Sequence, residues 1–507
     1  MALARAWAVA LVGLDGALVE VEADLAQGLP GLTVTGLPDT ALSEARDRVR
    51  AAVVNSGEEW PSKRITLGLS PASLPKRGSG FDLALAAAVL AAAGVVPPAA
   101  LHDRVLLGEL GLDGQVRGVR GVLPSVLVAR GAGVRRLVVP RANLAEARLL
   151  PDVEAVGVAT LRELLALLRG QEVPDHAVPA GLVDDPLLPD LADVAGQPAG
   201  RTAVEVAAAG GHHLFLLGPP GSGKTMLAER LPALLPPLTL DQALEVTAVH
   251  SVAGLLPPGH PLVRRPPFQD PHHTSTVAAV VGGGSGIARP GAASLATQGV
   301  LFLDEAPEFA TGVLDALRQP LESGRVSVRR AAGTATYPAR FALVLAANPC
   351  PCGQPGEDCT CRPEARRRYL ARLSGPLLDR VDMHVQVDRI SRAELLAEQG
   401  EVEPTSVVAR RVLHAREAAA ARYSGSPWRT NGEVPPVELR RRWPVPRPAT
   451  RSAEQALDSG RLTARGYGRV LRLAWTLADL AGAGQPERCH VDHALGFRLG
   501  TRHLAAA

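Results

Sequence analysis

Aromatic side chains supply only 3% of the 507 residues. That scarcity argues against an extended platform on which successive nucleobases could stack. Cysteine is equally sparse: there are five, and four of them crowd into the stretch from Cys350 to Cys361. Such crowding rules out a framework of disulfides spread along the chain and favours a reducing compartment with one local site. A charge excess is also missing. The formal charge of +3 neither demands nor excludes nucleic acid, so any such contact must come from local basic patches. No long hydrophobic run is present either. The longest, Leu83 to Ala93, is Ala-rich and is followed by Gly94 and Pro97-Pro98, which suits a buried helix better than a bilayer span. Met1 to Gly16 is mildly apolar, as an export signal would be. The following Ala17-Leu18-Val19-Glu20-Val21-Glu22 alternates behind a Leu14-Asp15-Gly16 turn, however, and the pair is expected to form a β-hairpin. The expectation is a cytoplasmic protein with no membrane partner.

What is present is enough material for several cores. Hydrophobic residues make up 46%, and the length suggests two to four domains. Residues 1–172 mix short strand patterns with helical stretches, including a strand at Val134 to Pro140. A segment rich in Pro, Gly and Asp follows, with the linker placed at 173–192. Residues 193–389 alternate buried strands, a Gly-rich turn and helices, the pattern of a parallel α/β sheet. Residues 390–507 carry helical patterns at Ala393 to Glu398, Val407 to Tyr423 and Leu462 to Leu480, and no convincing strand.

The chemistry centres on the α/β segment. The apolar run Leu214-Phe215-Leu216-Leu217 leads into Gly218, Pro219, Pro220, Gly221, Ser222, Gly223, Lys224 and Thr225, and a helical pattern follows. This is strand, GxxxxGK[ST] loop and helix in the required order. Glycines let backbone amides wrap phosphates, and the helix start adds its positive end. Lys224 is expected on the β and γ phosphates of ATP, and the Thr225 hydroxyl on Mg²⁺. Val300-Leu301-Phe302-Leu303 reads as a second buried strand ending in Asp304 and Glu305. Asp304 would hold the Mg²⁺ shell and Glu305 would polarise the attacking water. A third strand, Leu343 to Ala347, ends in Asn348, which can help to orient that water.

These pieces, with Asp193-Val194-Ala195-Gly196-Gln197, Gly210-Gly211-His212, Asp270-Pro271-His272-His273-Thr274, Gly282-Gly283-Gly284, Asn348-Pro349-Cys350-Pro351-Cys352-Gly353 and Ser374 to Asp382, resemble the ComM-like (YifB-type) ATPases of the magnesium-chelatase AAA+ family across nearly the whole chain. The resemblance implies an α/β protein with a Lon-protease-like (S5-domain-2-like) amino-terminal domain, a P-loop AAA+ core and a carboxy-terminal helical lid. It implies homo-hexameric motors on DNA that act in natural transformation and branch migration, with DNA bound regardless of sequence and recombination proteins as further partners. Arg380 matches the arginine finger, which in a ring would reach a neighbour's γ-phosphate. Arg465 matches the sensor arginine at the start of a lid helix, with Arg469 the alternative. The family's Arg before Pro-His-His is replaced by Gln269-Asp270, so either a neighbour such as Arg264 or Arg265 takes over any contact it makes or that contact is lost.

The amino-terminal segments Pro75 to Asp82 and Val119 to Ser125 resemble those that carry the nucleophile and lysine of Lon. Gly80 falls at the nucleophile position and no lysine falls in the second segment, so Ser79 and Lys76 are poorly placed for a dyad and the domain is expected to be proteolytically inactive. Its basic residues Arg46, Arg48, Arg50, Lys63 and Arg64 could face DNA or solvent.

Cys350, Cys352, Cys359 and Cys361 can form a tetrahedral Zn²⁺ site; reduced free thiols and disulfides are the competing readings. Cys489 beside His490 reads as packing. His272 and His273 suit a loop that touches DNA or a neighbouring subunit. Arg325, Arg329 and Arg330 lie in an alternating stretch that resembles the pore hairpin of related ring helicases. Two other functions stay open: a chelatase-type motor that drives metal insertion through a partner, and a protein unfoldase.

Overall fold

The computed structural model describes residues 2–36, 40–74, 76, 78–176, 188–257, 261–284, 288–330, 333–354, 359–391 and 402–500. The expected helix at 393–398 and most of the expected linker lie outside these residues.

The opening alternation folds as expected. β1 (Ala2–Val12) and β2 (Asp15–Ala26) pair antiparallel around the turn at Gly13. Val19, Val21 and Ala23 are fully buried, and Glu20 and Glu22 on the opposite face pair with Arg5. β3 (Gly31–Thr35), β4 (Arg64–Ser70), β5 (Arg104–Leu106), β6 (Arg136–Pro140) and β7 (Glu154–Val158) complete a mixed seven-stranded sheet of order β3-β4-β2-β1-β5-β6-β7. Helix α1 (Asp82–Ala92) is buried at every residue, and after Asp82 it is apolar all round, as a helix without a solvent face is.

The second sheet has five strands, all parallel. They are β8 (Leu214–Leu217), β9 (Phe268–Gln269), β10 (Val300–Leu303), β11 (Ala342–Ala347) and β12 (Met383–Gln386), in the order β9-β10-β11-β8-β12. The unbroken apolar runs of β8, β10 and β11 reflect burial on both faces. Strands that bear the phosphate loop, the two acids and Asn348 are therefore neighbours, and their carboxyl ends meet at one edge, where ligands of open α/β sheets bind. The stretch between β10 and β11 holds an antiparallel hairpin, Arg325–Arg330 with Gly333–Pro338.

The remaining chain is helical among the described residues. Thr405–Arg422 begins directly after Pro404, two residues before the sequence pattern suggests. Ala464–Leu480 begins two residues later than expected, because the Thr463 hydroxyl caps it by accepting from Gly466 N–H at 3.0 Å. These helices share one core with the inner face of the five-stranded sheet.

The two sheets are not independent. Glu146 is buried and accepts from Leu123 N–H at 2.7 Å and from the Ser251 hydroxyl. A Cβ on Gly13 would stand 3.2 Å from Ala335 Cβ, so the β1–β2 turn rests on the hairpin.

Candidate nucleotide site

Gly218 to Thr225 bend between β8 and the helix Lys224–Leu234. Gly221 and Gly223 have φ of 72° and 89°, a backbone that side chains disfavour. A Cβ on Gly218 would lie 2.0 Å from Val387 O, so this position admits no side chain. The Lys224 ammonium is drawn inward. It donates to Gly218 O at 2.8 Å, Pro219 O at 2.9 Å and Asn348 Oδ1 at 3.2 Å. Burial lowers its pKa, and the charges of Asp304 and Glu305 oppose that shift.

The Thr225 hydroxyl donates to Asp304 Oδ2 at 2.8 Å, while Asp304 Oδ1 accepts the Glu305 N–H at 2.8 Å. Glu305 occupies the left-handed region with φ of 50°, which turns its side chain away from the strand. Lys224, Thr225, Asp304 and Asn348 thus meet in one chain, with Glu305 beside them. The donor set suits Mg²⁺ and a polyphosphate: hydroxyl and carboxylate oxygens, a helix start, an ammonium, and the buried Ser222 hydroxyl, which has no partner among the described residues.

His273, expected in a loop that touches DNA or a neighbouring subunit, reaches the acid pair. Its Nδ1 lies 3.2 Å from Glu305 Oε2, and its ring lies against that of His272, tilted by 33° with centroids 4.1 Å apart. The Pro-His-His motif was visible, but β9, which positions it beside the acid strand, is two residues long and gives almost no pattern.

Arg380 and Arg465 stand apart from this group. Arg380 donates to Glu322 and to Pro376 O, and Arg465 is exposed in the first turn of its helix. Burial lowers the Arg380 pKa, with Arg318, Arg465 and Arg469 adding to the effect, so these cations gather in one place. Arg380 forms no ion pair with its neighbours Asp379 and Asp382 among the described residues. Asp379 pairs with Arg498 at 3.5 Å, and Asp382 is buried against Arg469 and His212. Arg469 therefore anchors the helical region to the start of β12. The nearby cations and the His212 hydrogen bond hold the Asp382 carboxyl well below the usual carboxylate range, against its burial. Arg469→Ala would leave that charge short of its main partner; the expected loss is about 3–5 kcal/mol, read from the denaturant midpoint. A loss below about 1 kcal/mol would place the pair among weak surface bridges.

In the amino-terminal domain one of the basic residues departs from expectation. Arg48 does not face DNA: it forms a two-pronged pair with buried Asp82, at 2.7 Å and 3.1 Å. Ser79 bonds Glu109, while buried Lys76 donates to Leu69 O at 3.1 Å and to Pro71 O, so the two do not form a dyad. Cys489 is exposed rather than packed.

The four clustered cysteines converge. Cys350 Sγ lies 3.4 Å from both Cys352 and Cys359, the latter two are 3.5 Å apart, and all four sulfurs fall within 4.8 Å of one another. Disulfide bonds are absent among them. Sulfurs around one Zn²⁺ at bonds of about 2.3 Å would be about 3.8 Å apart, so the spacing fits a tetrathiolate ion. Burial pushes the Cys350 thiol up to about 12, and the Gln354 backbone N–H brings Cys352 down to about 6.

Phosphate loop, acid pair and parallel sheet define an ATPase of the AAA+ type. Family models match along most of the chain: magnesium chelatase, subunit ChlI, at residues 190–395; subunit ChlI of Mg-chelatase at 21–143; and the ChlI carboxy-terminal model at 402–498. A Mycobacterium tuberculosis protein is 55% identical over 98% of this chain and 99% of its own. Competence protein ComM of Haemophilus influenzae is 40% identical over 99% of each chain. YifB of Escherichia coli is 40% identical over 98% of this chain and 97% of its own. Lon protease 2 of Thermus thermophilus is 31% identical over 137 residues, 26% of this chain and 17% of its own. The chain belongs to the ComM-like group of the magnesium-chelatase family. No helix among the described residues is long and apolar enough to cross a membrane.

Proposed function

We propose that the protein is a ring-forming ATPase that couples ATP hydrolysis to translocation on DNA, as a branch-migration helicase in natural transformation or recombination. The observation that carries this reading is the hairpin Arg325–Arg330/Gly333–Pro338 between the acid strand and the Asn348 strand. Val326 and Val328 are buried, while Arg325, Arg329 and Arg330 are exposed, with no ion pair among the described residues. Movement of the acids on phosphate loss would reach this hairpin directly, and guanidiniums there can hold phosphates without reading bases. The competence name of the Haemophilus influenzae relative supports the process.

DNA should therefore stimulate ATP turnover. Replacing Arg329 and Arg330 together with Ala should weaken DNA binding equally for all sequences. It should lower the slope of log affinity against log salt by about 0.7–0.9 for each phosphate that is no longer neutralised. Basal turnover should persist, because neither side chain belongs to the phosphate loop or the acid pair. Unchanged affinity and slope in the double variant would remove the hairpin from the mechanism.

Cys350, Cys352, Cys359 and Cys361 are read as a closed structural Zn²⁺ site. In this reading the ion takes no part in the hydrolysis chemistry.

A further inference from the structure

The turn that carries the first two cysteines begins at the nucleotide site. Asn348, whose side chain accepts from Lys224, is followed by Pro349, Cys350, Pro351, Cys352 and Gly353. Two prolines restrict φ and stiffen this turn. Gly353 has φ of 68°, and a Cβ there would stand 2.6 Å from Pro220 Cγ and 3.9 Å from Asn348 Cγ. The cysteine turn thus lies directly on the phosphate loop.

The second cysteine pair returns to the same place by another route. Cys361 leads into the helix Pro363–Leu370, whose Tyr369 is buried with its phenol beside the Asn348 backbone. Two residues after that helix, Arg372 reaches Glu308 at 3.3 Å, in the turn that follows the acid pair. The four sulfurs are the point at which these two routes are tied together.

We propose that the four-thiolate site and the nucleotide site are linked, such that zinc on Cys350, Cys352, Cys359 and Cys361 tightens ATP binding and bound ATP tightens zinc. This rests on the zinc reading and on the assignment of Gly218 to Thr225 as the nucleotide loop. Without the ion, the Asn348 turn and the Tyr369 helix are held only by their own packing and hydrogen bonds. A smaller fraction of molecules then has the loop in binding geometry, and apparent affinity falls by that fraction. Linkage is reciprocal: the factor by which zinc tightens ATP is the factor by which ATP tightens zinc.

The test uses the full chain purified without added metal. Elemental analysis should give about one zinc per chain. Zinc affinity is then measured by competition with a chromogenic chelator, with and without a non-hydrolysable ATP analogue in excess Mg²⁺. The analogue should tighten zinc by about fivefold or more, the lower end of typical couplings. Lys224→Ala should keep its zinc and lose this effect, which also controls for zinc held by the analogue in solution. Conversely, zinc-stripped protein that keeps its far-ultraviolet circular dichroism should bind the analogue more weakly by the same factor. Equal zinc affinity with and without analogue, in protein that contains zinc and binds the analogue, would overturn the linkage and leave the zinc site standing. A folded, zinc-free protein with four titratable thiols in the cluster would overturn both.

Discussion

Glu305→Gln is expected to retain ATP binding and to lose about 10²–10⁴-fold in turnover, the range for removing a positioned proton acceptor. Gln keeps the size and hydrogen-bonding reach of the side chain, so the left-handed turn at φ of 50° and the approach to His273 can persist. What it lacks is the negative charge that would draw a proton from the attacking water. Asp304 cannot substitute, since its two oxygens are taken by Thr225 and the Glu305 N–H. Lys224→Ala should behave differently. It deletes the ammonium that would meet the phosphates, so nucleotide affinity itself should drop. Single-turnover hydrolysis and equilibrium nucleotide binding separate the two variants. Turnover at the wild-type rate in Glu305→Gln would sink the role assigned to this carboxylate.

Much of this site was legible because its chemistry is contiguous. A phosphate loop needs its glycines, lysine and hydroxyl within eight residues, and the flanking apolar runs mark the strand and helix that present it. The same holds for the first hairpin, whose alternation of Val and Glu survives as one buried and one charged face. Partnerships between distant segments were not legible. Arg48 meets Asp82 across 34 positions, and Arg469 meets Asp382 across 87. In each case the sequence shows a basic residue among many, and only packing selects the acid. The His273–Glu305 approach is hidden for a related reason: it depends on β9 lying parallel to β10, and a two-residue strand leaves no periodic trace.

The separation of Arg380 from the phosphate loop supports the ring in the proposed function. Within one chain, Arg380 is engaged by Glu322 and lies near Arg318, Arg465 and Arg469, whereas the acids and Lys224 meet elsewhere. Crowding like charges is unfavourable in isolation and becomes useful if a polyanion approaches from outside, as a neighbour's ATP would. Arg380→Ala should then cost about 10³–10⁵ in turnover, the worth of an inserted arginine. Arg380→Ala and Lys224→Ala chains should each be inactive alone. Mixed into one ring, some interfaces would pair an intact loop on one chain with an intact finger on the next, and turnover should partly return. A finger acting within its own chain predicts otherwise, since no chain in the mixture carries both an intact loop and an intact finger. Co-assembly shown by subunit exchange, with no recovery at any mixing ratio, would defeat the trans assignment. Recovery that peaks at intermediate ratios would support it, because only mixed neighbours supply a complete site.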